Sequence, residues 1–424
     1  MTTALVLGGG GARGAYEAGV ISWLRDEFEP GLGRRLPLDV LAGTSVGAIH
    51  ACFLAGSMDR PAEQGPGLIR HWESMRVEHL LRASMGDIWR LIRESFGRTD
   101  PELMSLRTGG LVDPAALRAL VGNHVGWREI RNNIHRGHLQ ALAVSATHVA
   151  SGRTRVFIQR REGGAPKWSN DPQIEAVAAR IGPNHALASA AIPLIFPPVR
   201  VRGALYADGA VRMSVPLSPA LRLGARRVAV ISPSPRKQPH AADDAGNEAL
   251  YGAVPYLAGK VLAALLMDRT DQDLARLEQI NALLDAGTRS YGPGFLGTLR
   301  EALVHQREAP LHYVRTLMLR PSADMGMLAA DYVHGGEFKR GDGLAHRVIL
   351  KLAERESPRQ ADLASFLLFD RGYATRLIEL GRADARRHAR EFERFFDDAP
   401  HCEAEEVEWE QTERDRHHAT RPAG

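Results

Sequence analysis

The stretch Asp39-Val40-Leu41-Ala42-Gly43-Thr44-Ser45-Val46-Gly47-Ala48-Ile49 reads as a short buried strand that turns through Gly-x-Ser-x-Gly into an apolar helix running on past Ala51, Phe53 and Leu54. A serine at such a corner sits on a strained turn, with its hydroxyl pushed clear of the sheet. Side chains at Gly43 and Gly47 would clash where strand and helix close on each other, which gives both positions a reason to be glycine. The helix N-terminus adds a partial positive charge beside the serine oxygen, favouring an alkoxide or an oxyanion. Alone, the motif also arises by chance in a chain with 42 glycines, so its meaning depends on its surroundings.

Upstream, Ala4-Leu5-Val6-Leu7 is a second short strand, followed by Gly8-Gly9-Gly10-Gly11-Ala12-Arg13-Gly14 and then Tyr16, Val20, Ile21 and Leu24 at helical spacing. A glycine loop between strand and helix leaves backbone N–H groups bare and forms an anion-binding concavity. Gly9-x-Gly11-x-x-Gly14 also matches a dinucleotide fingerprint, but that requires an acid at the end of the second strand. Leu38–Ala42 ends instead in Gly43-Thr44-Ser45, and its acid, Asp39, lies at the beginning. The dinucleotide reading therefore fails. If the two strands are parallel neighbours, the bare N–H groups face the serine and suit the oxyanion of a tetrahedral intermediate.

Further on, His138–Ala146 and Thr154–Ile158 read as paired strands, Ile174–Ile181 as a short helix, and Arg227–Ile231 as another strand. The prolines of Ala186–Pro198 prevent a regular helix throughout. Leu205-Tyr206-Ala207 leads into Asp208-Gly209-Ala210, a carboxylate at a strand end with apolar flanks and no basic neighbour before Arg212. Poor solvation of that kind marks a working carboxylate rather than a turn residue. Amphipathic pieces between Met58 and Val125 read as helical cover over the sheet, with a lid over the serine as the functional alternative.

Taken together, the glycine loop Gly9–Gly14, the corner Gly43–Gly47, the Asp208–Ala210 turn and the preceding Ala188–Pro198 segment resemble the patatin-like phospholipase family. The resemblance covers residues 4–231. It implies an α/β fold of three layers, with a mainly parallel sheet between helices, and a serine–aspartate dyad without histidine. Ser45 would attack an ester carbonyl and Asp208 would take and return its proton. Gly10, Gly11 and Ala12, within the loop that also holds Gly9, Arg13 and Gly14, would supply the oxyanion hole, and Arg13 would hold the loop in place. Gly43, Gly47, Gly209 and Ala210 support the two turns. An aspartate near its ordinary pKa of about 3.9 is a weak base, so burial among Ala207, Ala210 and Val211 would have to raise it.

Two readings compete. A Ser45–Asp208–histidine triad on an α/β-hydrolase fold would draw on His240, His305 or His346, whereas a lipid-binding or scaffolding protein would keep the fold without turnover. No histidine falls in a metal-binding spacing, so no metal and no cofactor is expected.

The 424 residues divide into a catalytic domain over 1–320 with a Pro/Ser-rich loop at 232–247, a helical region over 321–396, and an acidic, disordered tail over 397–424. The tail has nine acidic and three basic residues, a charge of −6, which leaves +10 on the body. Of the surfaces a basic body suits, a lipid membrane touched peripherally is the expected partner, with no nucleic acid. Two cysteines, Cys52 and Cys402, without a Cys-x-x-Cys pair, and a start lacking a signal peptide point to the cytoplasm. The longest apolar run, Ala253–Met267, is broken by Pro255, Gly259 and Lys260 and falls short of the roughly 20 residues a spanning helix needs, so Lys260 there marks a candidate membrane contact.

Overall fold

A computed structural model describes residues 1–75, 121, 124–166, 168, 172–193, 195–234, 270–292, 294–303, 312–336, 338 and 364–397. The expected Pro/Ser-rich loop from 235, the apolar run containing Lys260, residues 339–363 of the expected helical region and the acidic tail beyond Asp397 lie outside these residues, as does most of the segment between Met75 and Val125.

In chain order the described elements that position the site are β1 (Thr3–Leu7), α1 (Gly14–Trp23), β2 (Val40–Thr44), α2 (Val46–Gly56), α3 (Gln64–Ser74) and α4 (Trp127–Arg136). They continue with β3 (Ala141–His148), β4 (Thr154–Arg160), β5 (Ile174–Ala178), α5 (Pro183–Ser189), β6 (Val199–Val201), β7 (Ala204–Asp208), α6 (Leu217–Arg222) and β8 (Arg227–Ile231). The C-terminal part contributes α7 (Thr270–Tyr291), α8 (Phe295–Leu303), β9 (Arg315–Leu319), α9 (Met325–His334), α10 (Arg371–Arg387) and α11 (Ala389–Phe396).

The strands form one sheet in the order β5-β4-β3-β2-β1-β8-β9. From β3 to β9 every neighbour is parallel; β4 runs antiparallel to β3. Parallel strands covered on both faces read as continuous apolar runs, which is the character of Ala4–Leu7 and of Arg227–Ile231, both wholly buried. Alternate side chains of β1 enter different cores. Leu5 and Leu7 join α1, α2, α3 and α10 on one face, and Ala4 and Val6 join Leu217, Ala220, Leu274 and Leu277 of α6 and α7 on the other. Each such leucine contributes about 1.5–3 kcal/mol by leaving water. The result is the three-layer α/β architecture expected from the sequence.

Ile174–Ile181, expected as a helix, is instead the edge strand β5, pairing parallel to β4 from Thr154↔Ile174 to Ile158↔Ala178. Its apolar residues mimic helical spacing, but the unpaired edge of β4 offers backbone partners that draw the segment out straight.

The helical C-terminal part closes on the sheet rather than standing apart. A Cβ on Gly19 of α1 would lie 2.2 Å from the Ile378 carbonyl oxygen, and one on Gly381 of α10 would lie 2.2 Å from that of Tyr16. The two helices thus touch backbone to backbone. Beyond α10 the helix is interrupted at His388, and α11 brings Phe392 and Phe396 against Phe28, with Phe392 also meeting Trp23.

Candidate active site

Register explains how Ser45 and Asp208 meet. On one side β3 pairs with β2 as far as Thr44↔Ser145, and beyond that point the same edge is taken over by β7, beginning at Ala146↔Asp208. The ends of β2 and β7 therefore meet head to head, and residues 163 apart in sequence become neighbours. The Ser45 hydroxyl donates to Asp208 Oδ2 at 2.6 Å, with both side chains buried.

Ser45 holds φ 55° and ψ −125°, a left-handed conformation uncommon outside glycine. Surrounding contacts enforce it. A Cβ on Gly47 would fall 2.4 Å from the Leu7 oxygen, one on Gly43 would fall 2.3 Å from the Gly47 oxygen, and one on Gly209 would fall 2.4 Å from the Ser145 oxygen. The Ser45 amide donates to Ser189 Oγ at 2.9 Å, and that hydroxyl donates onward to the Ser145 carbonyl at 2.5 Å. Ser189 was not singled out by its sequence context, although it lies inside the Ala188–Pro198 segment.

Asp208 is fixed through every polar atom. Its Oδ1 accepts the Ala210 amide at 2.7 Å, its carbonyl accepts Thr147 Oγ1 at 2.8 Å and its amide donates to the Ala191 carbonyl at 2.8 Å. Burial pushes its carboxyl up to about 7, against the lowering effect of the bonds from Ser45 and Ala210. The raised basicity expected of this aspartate thus has desolvation as its main cause.

The glycine loop leaves β1 beside this corner, since Leu7 pairs with Gly43. The Gly9 amide is occupied by the Ser214 carbonyl at 2.8 Å, and the Arg13 amide by that of Gly10 at 3.1 Å. Gly14 bonds back into the turn Gly11–Arg13. The open start of that turn is thus Gly10, Gly11 and Ala12, whose N–H groups have no partner within it. Of the six loop residues named from the sequence, these three show no partner for their amides among the described residues. Arg13 is buried, with its guanidinium over the Phe366 ring at 3.9 Å and its Nε donating to Ser365 at 2.7 Å, and so ties the loop to the segment preceding α10.

Ser45 opens on an apolar cavity of about 30 Å³ lined by Val46, Ile49, Met75, Ile192, Phe196 and Phe369, with Gly11, His50 and Trp72 also in its wall. That is room for little more than a water molecule. His240, His305 and His346 lie outside the described residues. The histidines in the cavity wall are His50 and His71, neither of them among the three candidates for a triad. Among the described residues there is no cluster of side chains able to hold a metal ion, and no helix is long and apolar enough to cross a membrane.

The chain matches no curated protein. Among solved structures it is similar to VipD from Legionella pneumophila at 14% sequence identity, over 88% of this chain and 91% of that one, with a TM-score of 0.27. A family model described as patatin-like phospholipase matches residues 5–221, just over half of the 424 residues. The match runs from β1 through the glycine loop, the Ser45 corner and Asp208, and the chain belongs to the patatin-like phospholipase family.

Proposed function

We propose that the protein hydrolyses carboxylic esters of lipids through an acyl-enzyme on Ser45. The observation that carries this reading is the buried 2.6 Å hydrogen bond from Ser45 to Asp208 at a strained strand-to-helix corner. As Ser45 Oγ bonds to the ester carbon, its proton passes to Asp208 Oδ2 and the carbonyl π pair moves onto oxygen. The Gly10, Gly11 and Ala12 amides stabilise that oxyanion. When the tetrahedral intermediate collapses, the ester C–O bond breaks and Asp208 returns the proton to the departing alcohol. Water, deprotonated by Asp208, then attacks the acyl carbon, and the proton goes back to Ser45.

A carboxylate held at about 7 is matched to proton transfer at neutral pH, which a solvated aspartate is not. The apolar lining from Val46, Ile49, Ile192 and Phe196 suits an acyl chain. At about 30 Å³ the cavity must open to admit one, so we place substrate entry at a lipid surface that draws the apolar cover apart. Peripheral contact of this kind needs no spanning segment.

Fluorophosphonate labelling tests the reading. The expected result is a single adduct located on Ser45 by peptide mass spectrometry, absent from folded Ser45→Ala and strongly reduced in folded Asp208→Asn. Folded wild-type protein that takes no label, with or without phospholipid vesicles, would leave the non-catalytic lipid-binding alternative.

A further inference from the structure

His50 lines the same cavity as Ser45 and stands against a carboxylate, the arrangement that would ordinarily supply a serine with its base. Its bonding gives it a different task. Glu17 of α1, His50 of α2 and Trp72 of α3 form a fully buried chain whose far end is the glycine loop. Glu17 Oε1 accepts the Gly8 amide at 2.8 Å, an N–H also shared with the Ile231 carbonyl at 3.1 Å. Glu17 Oε2 lies 2.8 Å from His50 Nδ1, and Trp72 Nε1 lies 3.0 Å from His50 Nε2.

An indole N–H only donates, so His50 Nε2 accepts and the imidazole proton belongs on Nδ1, directed at Glu17. Both Glu17 oxygens then face N–H donors. A protonated Glu17 would direct its own proton at one of them, so the pattern closes only with Glu17 as carboxylate and His50 neutral. Burial holds His50 down at about 3, in keeping with the neutral ring, and pushes Glu17 up, which the Gly8 amide opposes. With both nitrogens engaged, His50 has no lone pair to offer Ser45.

We propose that Glu17 and His50 are positioning residues: the Gly8–Glu17–His50–Trp72 relay holds the start of the glycine loop so that the Gly10, Gly11 and Ala12 amides meet the oxyanion formed at Ser45. This rests on the serine acyl hydrolase reading above. Gly8 is the first residue after β1, and Gly9 is held separately by Ser214, so the relay fixes the loop where it leaves the sheet. Misplacement of the loop costs transition-state contacts before it costs substrate binding.

The donor count makes an isosteric substitution diagnostic. In Glu17→Gln the carboxamide presents an NH₂ either to the Gly8 amide or to His50 Nδ1–H. His50 could yield by moving its proton to Nε2, but the Trp72 indole blocks that. With a soluble p-nitrophenyl butyrate substrate we expect kcat to fall about 10- to 100-fold, the scale of a displacement near 1 Å, with KM within about threefold. Adding Trp72→Phe removes the blocking donor, lets His50 reverse its tautomer and restores kcat to within a few-fold of wild type. Side-chain ¹⁵N shifts of His50 in the unsubstituted protein should place the proton on Nδ1, a result that needs no variant to fold. Wild-type kcat in Glu17→Gln, an unrescued double variant that remains folded, or a proton on Nε2 in wild type overturns the relay while the hydrolase reading stands. A wild type inert to both ester and fluorophosphonate overturns the hydrolase reading, and the relay's role falls with it.

Discussion

Ser45 lies between two kinds of structure. On the sheet side, backbone meets backbone: Gly43, Gly47 and Gly209 each bring main-chain atoms to distances no side chain could share. On the helical side, side chain meets side chain, with Trp72 parallel to Phe369 at 6.3 Å between ring centroids and Met75 and Phe196 filling the remaining wall. Backbone contact tolerates no added atom, whereas apolar side chains can part and pack against a lipid chain instead. In the proposed reaction the sheet edge sets the chemistry and the cover sets access.

The largest expected effect belongs to the edge. Asp208→Asn keeps the shape of the turn but removes the proton acceptor, and should lower kcat on soluble esters about 10²- to 10⁴-fold, the contribution of a placed general base. Stability should move the other way with pH. Because burial raises Asp208 to about 7, the native state holds this proton more tightly than the unfolded chain, whose carboxyl titrates near 3.9. Native stability is therefore favoured below about pH 4 and declines as pH rises toward about 7. Urea unfolding of wild type against Asp208→Asn should show the variant gaining on wild type across that window. A constant difference would mean that burial does not raise the Asp208 carboxyl.

Next comes Gly47→Ala. The added methyl would lie 2.4 Å from the Leu7 oxygen and 2.6 Å from the Gly8 oxygen, with no flexible side chain to give way. We expect a loss of about 1–3 kcal/mol in unfolding free energy, the ordinary cost of overpacking, together with loss of fluorophosphonate labelling as the corner shifts. Full labelling of a stable variant would show that the edge is more compliant than its distances.

The parts of this site legible in the sequence are those in which one local stretch carries its own physical constraint. Gly-x-Ser-x-Gly encodes a tight corner because only glycine fits beside it, and Asp208 stood out because apolar neighbours on both sides implied burial. What stayed hidden depends on partners far along the chain. Ile174 and Val177 fit a helix or a strand, and the edge of β4 decides between them. Glu17 and His50 lie 33 residues apart with no local pattern linking them, and only the packing of α1 on α2 joins them. The contact of α1 with α10 through Gly19 and Gly381 offers no local sign, since a glycine inside a helix does not name the backbone it admits.

A smaller effect follows from pH at the active site itself. In the proposed reaction Ser45 is activated by the Asp208 carboxylate, so kcat/KM should rise about tenfold per pH unit well below 7 and level off above it. His50 and His71, held neutral down to about 3 and about 4, should leave no second inflection between pH 5 and 9. An inflection retained in Asp208→Asn would assign the titration to another group and weaken the contrast between a chemical edge and a passive cover.

The smallest effect is expected from the cover. Phe369 is half-buried, follows the segment that pins Arg13 and stacks on Trp72 above the cavity, so Phe369→Ala removes packing without touching the corner. A partly exposed aromatic should cost about 1–2 kcal/mol when truncated, less than a fully buried one. With that ring gone, a soluble short-chain ester should reach Ser45 more readily, raising kcat/KM a few-fold while the advantage of vesicles over dispersed substrate shrinks. The comparison needs both substrates in parallel: a general loosening of the fold would lower both rates, whereas release of a cover raises one and spares the other. Equal rates in wild type and variant on both substrates would mean that entry lies elsewhere around Ser45, and that Phe369 serves to hold Trp72 over the helices rather than to close the cavity.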